Sequence, residues 1–255
     1  MTTPQPRKFK VLLIGDSCVD EYQYGAVTRI SPEAPVPVFK FLSSEERPGM
    51  ACNVKNNLEA FGCEVTFLTA QPSRKIRLVD KKSGHHIARI DHDPEQVSSV
   101  LFNMEMLEGV DFVVVSDYNK GAVTSDLIQD LVYWFGGPVY IDTKKTDLAK
   151  FEGGIVKINQ DEYSKITSEC SNMVVTLGGD GTRYGDQIYK APTVSVYDVV
   201  GAGDVFLAAL AYWHSEVGDI RRAITFANHA AATSVKHAGV YTLTSEDIHE
   251  IRRIC

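Results

Sequence analysis

Tyr197-Asp198-Val199-Val200-Gly201-Ala202-Gly203-Asp204, followed by the apolar run Val205 to Trp213, is the stretch that decides the fold. Two glycines directly ahead of a run of helical length with few charges predict a tight turn opening a buried helix, whose first N–H groups have no partner inside the helix. Such an end favours phosphate, because the amides and the helix dipole attract an anion and the glycines let the backbone come close to it. Asp204 is the odd member. A carboxylate there repels a polyphosphate, which makes chemical sense if it accepts the proton of a hydroxyl attacking that phosphate; the structural alternative is a plain helix cap.

Around this turn lies a chain of 255 residues, 44% apolar and 23% charged, long enough for one large core and without a disorder bias. Its net charge of −7, with no Lys/Arg cluster, argues against a nucleic-acid surface and for small substrates. Cys18, Cys52, Cys63, Cys170 and Cys255 are odd in number and lack CxxC spacing, so they are expected to be reduced thiols. The start MTTPQPRKFK has no apolar signal core, and no apolar run approaches a bilayer span, so a cytoplasmic protein is expected, with no membrane partner. The histidines lack metal-ligand spacing.

Lys10 to Ile14 is a continuous apolar run ending in Gly15-Asp16, the signature of a parallel strand buried on both faces. Asp16 and Asp20 follow at its carboxyl end, where doubly wound sheets gather ligands; they are either acceptors for sugar hydroxyls or ordinary turn residues. Tyr22 to Leu42 mixes aromatic and β-branched residues with Pro32, Pro35 and Pro37, which excludes a helix and a central strand and predicts a small β flap. A second flap hairpin is expected from Arg74–Asp80 paired with His86–Asp91 across Lys82-Ser83-Gly84. The lid thus comprises about residues 20–45 and 74–91. Between its two pieces, Asn53 is placed as N-cap of a helix from Val54 to Phe61 stopped by Gly62, with a strand over Glu64–Thr69.

From Pro94 the pattern predicts helix 95–107, strand 111–116, helix 124–135, strands 138–142 and 154–158, a helical segment near 160–167 and strand 172–177. Antiparallel segments Thr182–Tyr184, Ile188–Ala191 and Val194–Tyr197 follow, then helices 204–215, 219–236 and 246–254. Alternation with short connections predicts one α/β domain over 1–255, a doubly wound, mostly parallel sheet carrying the flap.

With these pieces in place, the chain resembles the ribokinase-like (PfkB) family of carbohydrate kinases, and within it the branch acting on a heptose 7-phosphate. The family turn is Gly201-Ala202-Gly203-Asp204. The branch is carried by Gly15-Asp16 with Asp20, by Thr28-Arg29-Ile30-Ser31-Pro32-Glu33-Ala34-Pro35-Val36-Pro37-Val38, by Glu46-Arg47-Pro48-Gly49, by Ser116-Asp117-Tyr118 with Lys120-Gly121, and by Val196-Tyr197-Asp198. The likeness spans nearly the whole chain.

The resemblance implies ATP-dependent phosphorylation of the anomeric hydroxyl of D-glycero-D-manno-heptose 7-phosphate to the 1,7-bisphosphate, a step toward ADP-heptose and lipopolysaccharide; the alternatives are a kinase of the same fold for another sugar or nucleoside, or a catalytically weak nucleotide-binding or scaffold protein. Asp204 becomes the base and the amides of Gly201, Ala202 and Gly203 the anion hole. Asp16, Asp20 and Asn53 hold sugar hydroxyls, and Asn159 with Glu162 organises Mg²⁺. Thr176, Gly178 and Gly181 belong to a turn near the nucleotide phosphates, and Asn228 lines the adenine pocket. A phosphorylated substrate needs cations, and Arg29, Arg47, Arg89, Lys120 and Lys144 are the candidates.

The sequence also departs from the family. Met50 stands where a second glycine follows Gly49, Asp142-Thr143-Lys144 lacks the usual proline, the stretch between Thr69 and Arg74 is much shorter, and a helix is missing between Ser168 and Asn172. The shortened stretch predicts an altered sheet edge. Val36, Val38, Phe39 and Phe41 give the flap an apolar face, from which a flap-to-flap homodimer is expected.

Overall fold

A computed structural model describes residues 8–94 and 98–255. Its main sheet has eight strands in the order β12-β11-β10-β9-β8-β7-β1-β4, formed by β1 (Lys10–Gly15), β4 (Glu64–Leu68), β7 (Phe112–Asp117), β8 (Val139–Thr143), β9 (Ile155–Asn159), β10 (Met173–Thr176), β11 (Thr182–Tyr184) and β12 (Gln187–Tyr189). All pairings from β4 across to β10 are parallel, and β11 and β12 close the sheet antiparallel. The apolar run of β1 serves two cores because successive side chains leave opposite faces. Val11 and Leu13 join one cluster, Leu12 and Ile14 the other, and β7 splits the same way between Phe112/Val114 and Val113/Val115. Helix α2 (Ser125–Trp134) covers the second face through Ile128 and Leu131.

The first face is packed by α1 (Ala51–Ala60), α4 (Ala202–Val217), α5 (Ile220–Ser234) and α6 (Ser245–Ile254). Helix α4 is buried continuously from Asp204 to Trp213, as its few charges require, and ends at Gly218 in the left-handed conformation. In this way the glycine turn is anchored on the most deeply buried helix of the chain.

The flap is a separate four-stranded sheet, β3-β2-β5-β6, built from β2 (Ser17–Ile30), β3 (Pro37–Met50), β5 (Ser73–Asp80) and β6 (His86–His92). Both expected hairpins form, and a parallel pairing of β2 with β5 joins them. The shortened stretch after Thr69 leads directly from β4 into this lid, which leaves β4 as the edge of the main sheet. The parallel pair β9 and β10 is joined by residues 160–172, which contain only the four-residue α3 (Gln160–Tyr163).

Three expectations are corrected. Helix α1 starts at Ala51 behind Met50, not at an Asn53 cap: Ala51 N donates to Asp16 O at 3.0 Å, and the Asn53 side chain is drawn inward to partners distant in sequence. Of the helix expected over 95–107, residues 95–97 lie outside the described residues and only Met104–Leu107 forms a 3-10 turn; Val100 N is tied to Ala122 O in the loop after β7. Val194–Tyr197 adds no strand, because Val194 and Val196 line a cavity beside α4. All five cysteines are free thiols.

Candidate active site

Two cavities meet at the first turn of α4. The smaller, about 120 Å³, is lined by Asp117, Tyr118, Asp142, Lys144, Lys157, Asn159, Glu162, Gly201, Gly203 and Asp204. Its walls are therefore the carboxyl ends of β7, β8 and β9 together with the glycine turn. The larger, about 320 Å³, is mostly apolar and includes Thr176, Gly178, Gly181, Val196, Ala202, Gly203, Phe206 and Asn228. Gly203 belongs to both. A group spanning the two cavities would thus cross the N-terminal amides of the helix.

The turn needs its glycines. Gly201 has φ 77° and a Cβ there would lie 2.6 Å from Asn53 Nδ2. At Gly203 a Cβ would lie 3.0 Å from the Lys157 ammonium. Gly201 thus excludes a side chain by both conformation and space, while at Gly203 a Cβ would press on the Lys157 ammonium and require it to shift.

Asp204 is buried, and its two oxygens are engaged from opposite sides. Tyr118 donates its hydroxyl to Oδ1 at 2.6 Å, and Asn53 donates Nδ2 to Oδ2 at 3.2 Å and to Gly201 O at 3.1 Å. Burial pushes the carboxyl up from 3.8 to about 6, with the Tyr118 and Asn53 hydrogen bonds and Lys157 opposing it and Asp142 adding to it. A carboxylate so tuned is ionised at neutral pH yet basic enough to receive a proton in a transition state.

Lys157 is the residue that sequence reasoning missed. It is 4% exposed and donates to Asp142 Oδ2 at 2.7 Å. Burial opposes its charge, but Asp142, with Glu162 and Asp204 beyond it, holds the ammonium above the usual lysine range. A signal existed: a single charge inside Ile155-Val156-Lys157-Ile158, a run that suits a strand buried on both faces, requires a buried partner. Nothing local marked Tyr118 as a partner of Asp204, since 86 residues separate the two.

Asn159 and Glu162 form a reciprocal capping box on α3: Glu162 N donates to Asn159 Oδ1 at 2.9 Å and Asn159 N to Glu162 Oε2 at 2.8 Å. The other Glu162 oxygen accepts from Lys144, whose ammonium also lies 5.3 Å from the centre of the Tyr118 ring. Burial acts against the Glu162 charge, but Lys144 and the Asn159 amide outweigh it and hold the carboxyl below its ordinary value. Among the described residues no group of three His, Cys, Asp or Glu side chains could enclose a metal ion. The pocket instead offers oxygen donors from separate strands, the donor chemistry of a cation that keeps part of its water shell and shares phosphate oxygens.

The remaining predicted residues are dispersed or already committed. Asp16 accepts from the amides of Tyr118, Lys120 and Ala122 at 2.8, 3.1 and 3.1 Å, so it shapes the loop after β7. Asp20 is closed by Arg77 of β5 and receives the Cys18 thiol. Arg47 lies on the lid against Glu45 and over Tyr22, Arg89 is exposed against Asp91, Lys120 pairs with Asp93, and Arg29 is exposed near the end of β2. Asn228 borders the larger cavity, but its amide accepts from Thr182 and donates to Tyr189 O, holding β11 and β12 in place.

The sequence profile described as pfkB family carbohydrate kinase matches residues 155–247, the part carrying β9 and the glycine turn. The bifunctional protein HldE of a Nitratiruptor species is 31% identical over 305 aligned positions, covering 96% of this chain and 65% of that protein. The chain belongs to the pfkB family of carbohydrate kinases. It spans about two thirds of the length of this relative, and because 305 positions exceed its 255 residues, the alignment must open gaps in this member of the family. Ribokinase from Thermotoga maritima superposes with a TM-score of 0.70 at 17% identity, covering 96% of this chain and 99% of that one. The Arabidopsis thaliana ribokinase solved with ribose and ATP gives 0.69 at 14%, covering 96% and 99%. At these identities the superpositions establish the ribokinase-like fold. Among the described residues no helix is long and apolar enough to cross a membrane.

Proposed function

We propose that this kinase transfers the terminal phosphoryl group of ATP to the anomeric hydroxyl of D-glycero-D-manno-heptose 7-phosphate, with Asp204 as the base. The observation that carries the reading is the place of Asp204: buried, pushed up to about 6, and standing where a polar pocket lined by Lys144 and Lys157 opens beside the larger apolar cavity. The adenosine moiety would occupy the apolar cavity and its phosphates cross Gly203 into the polar pocket. The amides at the glycine turn and the Lys157 ammonium would meet charge developing on the transferred group, while Asp204 takes the acceptor proton late in a loose transition state. Bound Mg²⁺ would neutralise phosphate charge, held by the pocket-facing carboxylate of Glu162; Asn159 would act behind it by fixing the cap that orients Glu162. Closing the lid over the sugar would exclude water. Arg47, on the lid, is the best placed of the predicted cations for the substrate's existing phosphate, since its guanidinium already faces the loop at Gly239.

Heptose as the sugar rests on the resemblance over residues 28–38. A second reading, the same chemistry on another sugar, is favoured by two observations: Met50 occupies the family glycine position with φ 55°, and Asp20 is closed by Arg77. A coupled ADP-release assay with heptose 7-phosphate, ribose, fructose and adenosine decides between them. Turnover confined to one of the last three would remove the heptose assignment. Asp204→Asn is expected to keep nucleotide binding and to lose about 10²–10⁴-fold in turnover; near-normal turnover would remove Asp204 from the chemistry.

Of the four apolar residues named for the flap face, Val36 and Phe41 are exposed and Val38 and Phe39 half-buried; with the exposed Ile30 and Leu42 they support a homodimer through that sheet. Cytoplasmic localisation fits a soluble substrate pair.

A further inference from the structure

A hydroxyl donating to a catalytic carboxylate makes the bond that an acceptor hydroxyl would make to the same oxygen. In this chain that hydroxyl belongs to the protein: Tyr118 donates to Asp204 Oδ1 at 2.6 Å from within the pocket that holds Lys144, Lys157 and the glycine turn. We propose that the Tyr118 hydroxyl is a placeholder, keeping Asp204 closed to water until a substrate hydroxyl displaces it. The inference rests on the reading of Asp204 as base, but not on the identity of the sugar.

The surroundings allow such an exchange. The backbone of the Tyr118 loop is fixed, because Asp16 binds the amides of residues 118, 120 and 122 and Asn119 makes the turn at φ 57°. The phenol is held by its enclosure in the pocket wall, by one hydrogen bond to Asp204 and by the Lys144 ammonium 5.3 Å from the centre of its ring, and no backbone bond depends on its position. A side-chain rotation can therefore free Oδ1 without moving the strand end. The incoming hydroxyl replaces the lost bond with one of the same kind, so the exchange is close to neutral for a substrate that carries a correctly placed hydroxyl. A lone water restores the bond but leaves the space of the displaced ring unfilled, whereas the body of a substrate fills it, so the phenol discriminates against water. Asn53 stays on Oδ2 throughout and keeps the carboxylate oriented.

Tyr118→Phe keeps the ring and removes the placeholder. The expected result is a rise of about tenfold in ATP hydrolysis without sugar, together with a lower KM for the acceptor, since nothing need be displaced. Unchanged hydrolysis, or a KM that rises with kcat, would overturn the proposal, as would phosphate on Tyr118 after incubation with ATP alone, because the phenol would then be an acceptor itself. A measurement on the unaltered enzyme stands beside the variant: heptose 7-phosphate without ATP should shift the tyrosine ultraviolet band to the blue as the phenol leaves the carboxylate, and binding without that shift counts against displacement. Adding Asp204→Asn separates the two readings. Hydrolysis raised by Tyr118→Phe and abolished by the second change supports both base and placeholder even if heptose 7-phosphate proves inert, whereas raised hydrolysis that survives Asp204→Asn refutes Asp204 as the base.

Discussion

The main sheet and the lid sheet are held together by different forces. Strands β1 and β7 are buried on both faces, and their one-residue alternation feeds two apolar cores. The lid strands β3 and β6 are largely exposed, and beyond the backbone ladders the lid is crossed by ion pairs, the enclosed Arg77 on Asp20 and the exposed Arg74 on both Glu21 and Glu46, while Arg47 on Glu45 and Arg89 on Asp91 each stay within one strand. Apolar burial gives a fixed platform. Exposed ion pairs such as those of Arg74 contribute little stability each and exchange easily. The glycine turn sits on the fixed part.

The comparison predicts a graded series of stability losses. Lys157→Met in the main sheet should be the largest, about 3–5 kcal/mol in denaturant unfolding, because it leaves the buried Asp142 without its partner. A loss below about 1 kcal/mol would mean that Asp142 simply takes up a proton.

Next comes the response to pH. Asp204 binds its proton more tightly in the folded state, about 6 against 3.8. Between those values the native protein carries more protons than the unfolded one, so this group's contribution to stability falls as pH rises, by about 1.4 kcal/mol per unit. Turnover should move in the opposite sense, gained as pH rises through about 6 and lost tenfold per unit below it. A kcat/KM profile flat from pH 5 to 8 would contradict this assignment.

In the lid, Arg77→Ala should cost about 1–3 kcal/mol, because Asp20 is nearly as enclosed as the groups of the main sheet. Arg74→Ala, between two carboxylates and well exposed, should cost clearly less than Arg77→Ala in denaturant unfolding, and less still at high salt. If the two lid changes prove equal, burial is not what separates them. Phe41→Ser should leave the unfolding midpoint nearly unchanged while shifting the protein toward monomer in sedimentation, if the lid faces pair.

The parts of the molecule legible in the sequence follow the same division. The apolar runs of β1, β7, β8 and β9 required strands buried on both faces, and Gly201 and Gly203 ahead of an uncharged run required the turn and α4. Both lid hairpins were legible from their turn residues and prolines. The apolar residues from Ser98 to Asn103 suit a helical period, but Val100 and Phe102 pack against the second core and Val100 N bonds to Ala122 O, contacts that no local pattern encodes. In the site, Asp204, Lys144 and Glu162 were anticipated and do line one pocket. Asp16 and Asp20 were anticipated as sugar ligands, but backbone amides and Arg77 occupy them.

By itself, then, the sequence determined most of the strands and helices of the two sheets, and that a glycine turn with one carboxylate opens the central helix, since these follow from periodicity and from glycine at fixed positions. Only the tertiary structure decided what each polar side chain meets. Tyr118 on Asp204, Asn53 across to Gly201, and Lys157 beneath Gly203 join residues far apart in the chain. The hydrogen bonds and charge interactions that tune them depend on distances of a few ångströms, which are set by how the strands are ordered in the sheet.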